Sequence, residues 1–160
     1  MLWTAIAIAS ALSTYAQPTT SSNFTEAKTI EMRKSEDQEN IETLLFQYRD
    51  ALNASSVDQA LVLYTTDGVF MPSGAPTSVG QVQVRGAYEF VFNNIQLNIE
   101  FFIDEIVVEG NYAFARTTSR GTTLIHATGE TVPEENRELF VLEKQNDSWK
   151  IARYMFNKMQ

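Results

Sequence analysis

The chain has 160 residues, of which 44% are apolar, and its formal net charge is −8. This size and apolar content are enough for one domain with its own hydrophobic core. The negative charge argues against binding of nucleic acid or of an anionic membrane, both of which favour a basic surface. There is no cysteine, so disulfides, thiolate chemistry and zinc–thiolate sites are excluded.

Residues 1–16 have the composition of a secretory signal. The run from Leu2 to Leu12 is apolar and uncharged, and it is shorter than the roughly 20 residues that a bilayer span needs. Thr14 and Ala16 place small residues where a signal peptidase would cut before Gln17. We expect residues 1–16 to be removed and the mature protein to be secreted, with no membrane attachment afterwards.

Asparagines in three glycosylation triplets are expected to be exposed, and they become glycosylation candidates if the protein is exported from a eukaryotic cell. They are Asn23, Asn53 and Asn146.

The polar residues 17–34 are predicted to form a flexible arm, and residues 35–160 the folded domain. Ser35 and Gln38 have the spacing of a helix-capping pair, and Ser56 and Gln59 repeat it for a second helix. The first helix has one apolar face, formed by Ile41, Leu44, Leu45, Tyr48 and Leu52. A third helix is predicted to open at Gly86, with Ala87, Phe90, Val91 and Asn94 on one side.

Strand patterns follow the helices. After the second helix, Thr65 to Gly68 predicts a corner that leads into a short strand, Val69 to Met71, which stops at Pro72. Residues 81–84 are expected to form a brief strand. A strand near residues 97–108 alternates apolar and polar residues, and its interrupted alternation predicts a bulge.

The rest of the chain reads as two hairpins. A turn at residues 109–111 leads into a strand over 112–125, which bends at Gly121. Residues 127–136 are predicted to be a polar loop. A last hairpin pairs residues 137–144 with 149–157 around Asn146 and Asp147.

Three helices followed by antiparallel strands predict an α+β fold, in which a cone-shaped, curved antiparallel sheet is wrapped around three N-terminal helices. This order, the corner within Leu61–Gly74 and the last two strands resemble the nuclear transport factor two-like superfamily, in its SnoaL-like branch. The resemblance covers about residues 35–157. It implies a scaffold that hosts isomerases, cyclases, dehydratases and non-catalytic modules, and whose outer sheet face often pairs with a second subunit.

The wide end of such a cone is a natural place for a ligand. On the last strand we expect Trp149 and Arg153 to point inward, with Arg153 paired to Glu138, because an unpaired buried charge is costly. Arg116 and Arg120 share a face of another strand, where they either clamp an anionic ligand or balance carboxylates on neighbouring strands. The predicted pocket residues are Tyr48, Phe70, Met71, Phe92, Arg116, Glu138 and Arg153.

No catalytic residue can be assigned from the sequence. The resemblance implies that ketosteroid isomerase-like members carry an Asp base just after the first strand, where this chain has Met71, Pro72 and Ser73. The single histidine, His126, is expected to be exposed, and Asp67 is explained as a turn residue. No calcium-loop spacing or nucleotide-binding fingerprint is found, so we expect no metal and no cofactor.

These observations favour a secreted protein that binds a small, mostly apolar molecule in the cone. Its catalytic version would be a cofactor-free isomerase, cyclase or dehydratase. We also expect a homodimer, with Tyr154 and Phe156 near the centre of an interface on the outer sheet face. The alternative is a non-catalytic, acidic extracellular or matrix-associated dimeric module, whose cone is filled by its own side chains.

Overall fold

The computed structural model describes the backbone of residues 21–159 and the side chains of residues 36–159. The predicted signal segment and the side chain of Asn23 lie outside the described residues. The helices are α1 (Ser21–Asn53), α2 (Val57–Leu61) and α3 (Gly80–Asn94). The strands are β1 (Tyr64–Met71), β2 (Ser78–Val79), β3 (Ile95–Glu109), β4 (Tyr112–Ile125), β5 (Glu130–Gln145) and β6 (Ser148–Lys158).

The strands form one six-stranded sheet in the order β2-β1-β6-β5-β4-β3. All neighbours are antiparallel except β1 and β6, which run parallel. The sheet curves around the helices without closing, so the predicted α+β cone is confirmed. The predicted turns at 109–111 and at Asn146–Asp147 also form, with Gly110, Asn146 and Asp147 at positive φ.

Helix α1 packs its predicted apolar face into the cone. Ile41, Leu45 and Tyr48 are fully buried, as the helical spacing indicated. The helix begins at Ser21, so Ser35 lies inside it and the predicted cap there is wrong. The cap of α2 is confirmed, because the backbone N–H of Gln59 donates to Ser56 Oγ at 3.4 Å.

Asn53 fastens the end of α1 to β3. Its Nδ2 donates to the carbonyl of Ile99 at 2.8 Å, and its Oδ1 accepts from the Ile99 N–H at 2.9 Å. The side chain is therefore half-buried and committed to hydrogen bonds, so the expected exposure of this asparagine is wrong. Asn146 is exposed in the last turn.

Helix α3 differs from its prediction in start and in face. It begins at Gly80 instead of Gly86. Residues 81–84, predicted to be a brief strand, therefore belong to the helix, and the brief strand lies just before them at Ser78–Val79. Its buried residues are Val84, Tyr88 and Phe92, whereas Phe90 is 70% exposed. The buried face of α3 was predicted wrongly because Phe90 is more hydrophobic than Tyr88. In the structure, Tyr88 is on the side of the helix that packs against β1.

Strand β5 begins at Glu130, inside the segment predicted to be a polar loop. Pro133 argued against a strand because it cannot donate a ladder hydrogen bond. It is tolerated because β6 pairs with β5 only as far as Asn136, so β5 has β4 as its one neighbour at Pro133. β1 likewise starts earlier than predicted, at Tyr64, and its pairing with β6 shifts register between Tyr64 and Val69.

Candidate functional site

A cavity of about 130 Å³ lies inside the curved sheet, between the sheet and helices α1 and α3. Most of its wall is aliphatic or aromatic, and a set of polar side chains projects from β5. The wall is formed by Tyr48, Leu52, Phe70, Pro72, Tyr88, Val91, Ile95, Leu97, Ile99, Glu134, Asn136, Glu138, Tyr154, Phe156 and Lys158. It therefore has the mixture expected of a small-molecule site, namely an apolar surface with a few convergent polar groups.

Tyrosine hydroxyls meet at the helical side of this cavity. The hydroxyl of Tyr88 is hydrogen-bonded to that of Tyr64 at 2.8 Å and, in a shorter contact, to that of Tyr48. Burial raises the pKa of all three well above the ordinary tyrosine value, so the hydroxyls stay protonated. Three hydroxyls joined by two hydrogen bonds keep one proton for another acceptor.

Glu138 is the buried carboxyl group of the site, with 4% of its surface exposed. The hydroxyl of Thr117 donates to its Oε2, and the hydroxyl of Tyr154 lies 3.5 Å from its Oε1. Burial raises the pKa of this carboxyl. Hydrogen bonds from the hydroxyls of Thr117, Ser119 and Tyr154 lower it, but they offset only part of the effect of burial. Glu138 can therefore hold a proton at a pH where an exposed glutamate has lost it.

Two further β5 residues, Glu134 and Asn136, line the cavity beyond Glu138. Both are buried, and Glu134 pairs with the exposed amine of Lys158 at 3.2 Å. The amide Nδ2 of Asn136 donates to Glu134 Oε1 at 3.0 Å and to Ser119 Oγ at 3.3 Å. Asn136 Oδ1 is buried with no hydrogen-bond partner among the described residues.

The structure brings together part of the predicted pocket. Tyr48, Phe70 and Glu138 line the cavity as expected. Phe92 is instead in the core, where it stacks on Tyr88 with a centroid separation of 5.6 Å. Met71 is half-buried and does not line the cavity, since its neighbours Phe70 and Pro72 take that place.

Arg153 points away from the cavity, so its predicted pairing with Glu138 is wrong. Its guanidinium pairs with Asp67 at 3.7 Å. The cause is a bulge in β6, where the pairing with β5 shifts register and both Ile151 and Ala152 are buried. One extra residue reverses the alternation of a strand, so Tyr154 turns inward in place of Arg153.

The same bulge overturns the expected dimer centre, and the contacts of Arg116 and Arg120 on β4 decide between the two interpretations of that arginine pair. Tyr154 is 3% exposed and faces the cavity, so it is not on the outer face, and Phe156 also lines the cavity. Arg116 lies outside, where it pairs with Asp104 at 3.2 Å, and Arg120 pairs with Glu135 at 2.7 Å. Of the two interpretations of these arginines, charge balance across strands is the one the contacts favour.

Three residues of the cavity wall were not predicted from the sequence: Tyr88, Glu134 and Asn136. The alternation of Glu134, Asn136, Glu138 and Phe140 on one face of β5 was a usable signal, but Pro133 disguised it. Within the described part of the chain, no group of three or more His, Cys, Asp or Glu side chains could hold a metal ion. None of the helices there is long and apolar enough to span a bilayer.

The curved sheet, the enclosing helices and the lined cavity define the class as an α+β cone protein with a small internal site. Residues 45–154 match the SnoaL-like domain family. The chain therefore belongs to the SnoaL-like family, within the nuclear transport factor two-like superfamily.

Solved structures agree with this assignment. A ketosteroid isomerase-like protein from Erwinia carotovora atroseptica is 34% identical with a TM-score of 0.73, over 75% of this chain and 94% of that one. A candidate aromatic ring hydroxylase from Novosphingobium aromaticivorans is 25% identical with a TM-score of 0.69, over 78% and 90%. A candidate dehydratase from Streptomyces avermitilis is 17% identical with a TM-score of 0.68, over 79% and 98%, and supports the fold alone. No curated protein matches the chain.

Proposed function

We propose that the protein binds a small, mostly apolar molecule in the cavity and acts on it by cofactor-free acid–base chemistry. The observation that carries the proposal is Glu138, a carboxyl group that is 4% exposed in a largely apolar cavity wall. Burying a carboxyl group costs folding free energy, so a carboxyl in a cavity wall is a candidate for a functional group, and burial raises the pKa of Glu138 above the ordinary glutamate value. The isomerase-like name of one structural relative supports the same class of reaction.

The cavity has the parts that a proton transfer needs. Glu138 would take or supply the proton at its Oε1 or Oε2. The spare proton of the Tyr48–Tyr88–Tyr64 cluster would be donated to a ligand oxygen, because these hydroxyls stay protonated. The aromatic and aliphatic wall would exclude water and hold the apolar body of the ligand.

The non-catalytic module stays as a second candidate because one observation favours it. The cavity is about 130 Å³, below the roughly 300 Å³ at which drug-sized ligand pockets begin. A cone filled by its own side chains would need no ligand at all.

Native mass spectrometry of the protein purified from its own source tests binding. We expect a retained small molecule on the natural chain and none on a Leu97→Trp variant, because Leu97 lines the cavity and an indole would fill it. Val82→Trp is the matched control, since Val82 is 86% exposed on α3, and it should retain the molecule. If the natural chain and both variants lose the small molecule on mild dilution, or if none of the three carries one, the result would favour the non-catalytic module.

We also propose that the mature chain begins near Gln17 and is exported, since an apolar run with a small-residue cut site precedes it. A homodimer on the outer sheet face is proposed from exposed apolar residues there, among them Phe114, Leu139 and Met155. Amino-terminal sequencing of the natural protein tests the first proposal. An intact Met1 in the exported fraction would contradict it.

A further inference from the structure

Asn136 sits where the cavity turns from apolar to polar. Glu134, Asn136 and Glu138 occupy alternate inward positions of β5, and the last residues of β6 lie beside them, with Lys158 opposite Asn136. Asn136 is 6% exposed and forms part of the cavity wall. It is therefore a buried amide that a molecule in the cavity can reach.

The hydrogen bonds of Asn136 leave its side-chain oxygen, Oδ1, without a donor among the described residues. Its two N–H groups are used on Glu134 Oε1 at 3.0 Å and on Ser119 Oγ at 3.3 Å. The opposite orientation of the amide is disfavoured, because it would set Oδ1 against a carboxylate that only accepts. Oδ1 has no partner among the described residues, and a buried acceptor without a donor is unfavourable.

The charge of Glu134, the carboxylate that Asn136 contacts, is already balanced. Glu134 accepts from Thr123 Oγ1 at 3.1 Å and pairs with the Lys158 amine at 3.2 Å. A ligand therefore does not need to bring a positive charge to this end of the cavity. What the site lacks is a neutral hydrogen-bond donor aimed at Asn136.

We propose that Asn136 Oδ1 is the specificity-determining acceptor of the cavity, and that the ligand is an apolar molecule of about one aromatic ring that carries a hydroxyl or amide N–H. The size follows from the volume of about 130 Å³, close to the roughly 150 Å³ cavity that holds benzene in another protein. This inference rests on the proposed function. It adds which end of the ligand is polar and that this end donates.

Phenol and toluene are the probes, because they share a ring and differ by a hydroxyl in place of a methyl. Calorimetric titration gives the ratio of their affinities for the natural protein and for Asn136→Leu. Losing one neutral hydrogen bond should shift this ratio about fivefold toward toluene in Asn136→Leu. Ser119→Ala is the control: it also removes a contact of Asn136 but leaves Oδ1 in place, so its ratio should equal that of the natural protein.

A measurement on the natural protein covers the case in which Asn136→Leu does not fold. The carboxamide ¹³C resonance of Asn136 should move when phenol is added and stay in place with toluene. An unchanged affinity ratio in Asn136→Leu, or equal resonance shifts with both probes, would overturn the inference while leaving the proposed function intact. Failure of both probes to bind the natural protein would contradict both proposals.

Discussion

The hydroxyl of Tyr154 lies 3.5 Å from Oε1 of Glu138 on the concave face of the sheet. The two residues are on neighbouring strands, and they meet because the bulge in β6 turns Tyr154 inward. The carboxyl is thus held among hydroxyl groups and aromatic rings, and only the part of it that faces the cavity can meet water. The chemistry proposed for the cavity depends on this arrangement.

Glu138→Gln should change how stability depends on pH. The pKa of Glu138 is raised in the folded protein, so between the unfolded and folded pKa values the folded state binds more protons than the unfolded state. The stability of the natural protein should therefore fall as pH rises from about 4.3, the unfolded value, through the raised pKa. The Glu138→Gln variant should not show this loss of stability, because a glutamine side chain does not titrate.

Chemical denaturation at a series of pH values from about 4 to 8 measures this effect. The free-energy difference between Glu138→Gln and the natural protein should grow with pH in favour of the variant and then level off. Glu135→Gln is the matched control, since Glu135 is exposed on the outer face of the same strand. A difference that is flat across the whole range would show that Glu138 titrates normally.

Tyr88→Phe should destabilise the protein by about 1–3 kcal/mol, because it leaves buried hydroxyls of Tyr48 and Tyr64 without their shared partner. Tyr112→Phe removes a hydroxyl from a side chain that is 56% exposed, and should change stability by less than about 0.5 kcal/mol. Thermal and urea unfolding of both variants give the comparison. Equal stabilities would mean that the tyrosine cluster contributes nothing.

Gly121→Ala should destabilise the protein by about 1–3 kcal/mol through overpacking. A Cβ at this position would lie 2.1 Å from the carbonyl oxygen of Asn98 and 2.8 Å from Cα of Ile99, both backbone atoms of β3. Gly86→Ala, in an open position within α3, should instead stabilise by about 0.5–1 kcal/mol. Urea unfolding of the Gly121→Ala and Gly86→Ala variants checks that one substitution destabilises and the other stabilises the protein. Two effects of the same sign would contradict the close approach of β3 and β4.

The helical face of α1 and the hairpin turns could be predicted from the sequence because they depend on local spacing and turn chemistry. The inward face of β6 could not, since a single-residue bulge at Ala152 exchanges the faces and leaves no mark in an apolar strand. Asn136 and Glu134 were missed for a related reason. Polar residues after a proline resemble a loop until the pairing with β4 is known.

Leu139→Lys should weaken a homodimer formed on the outer sheet face. Leu139 and Met155 are paired neighbours on β5 and β6 and are 39% and 37% exposed, with Phe114 nearby on β4. A buried lysine at this position would lack a partner, so dissociation at micromolar concentration should increase at least tenfold. Val82→Lys on α3 is the control. Light scattering that finds a natural monomer at micromolar concentration would contradict the dimer.

Titration of the Glu138 carboxyl ¹³C resonance, with and without saturating toluene, shows whether Glu138 is a buried carboxyl that faces a ligand-binding cavity. We expect a midpoint above the ordinary glutamate value of about 4.3, because the carboxyl is buried. We also expect toluene to raise the midpoint further, because a ligand in the cavity would displace water from the side of the carboxyl that faces it. An ordinary midpoint that toluene does not move would show that Glu138 does not face a ligand-binding cavity.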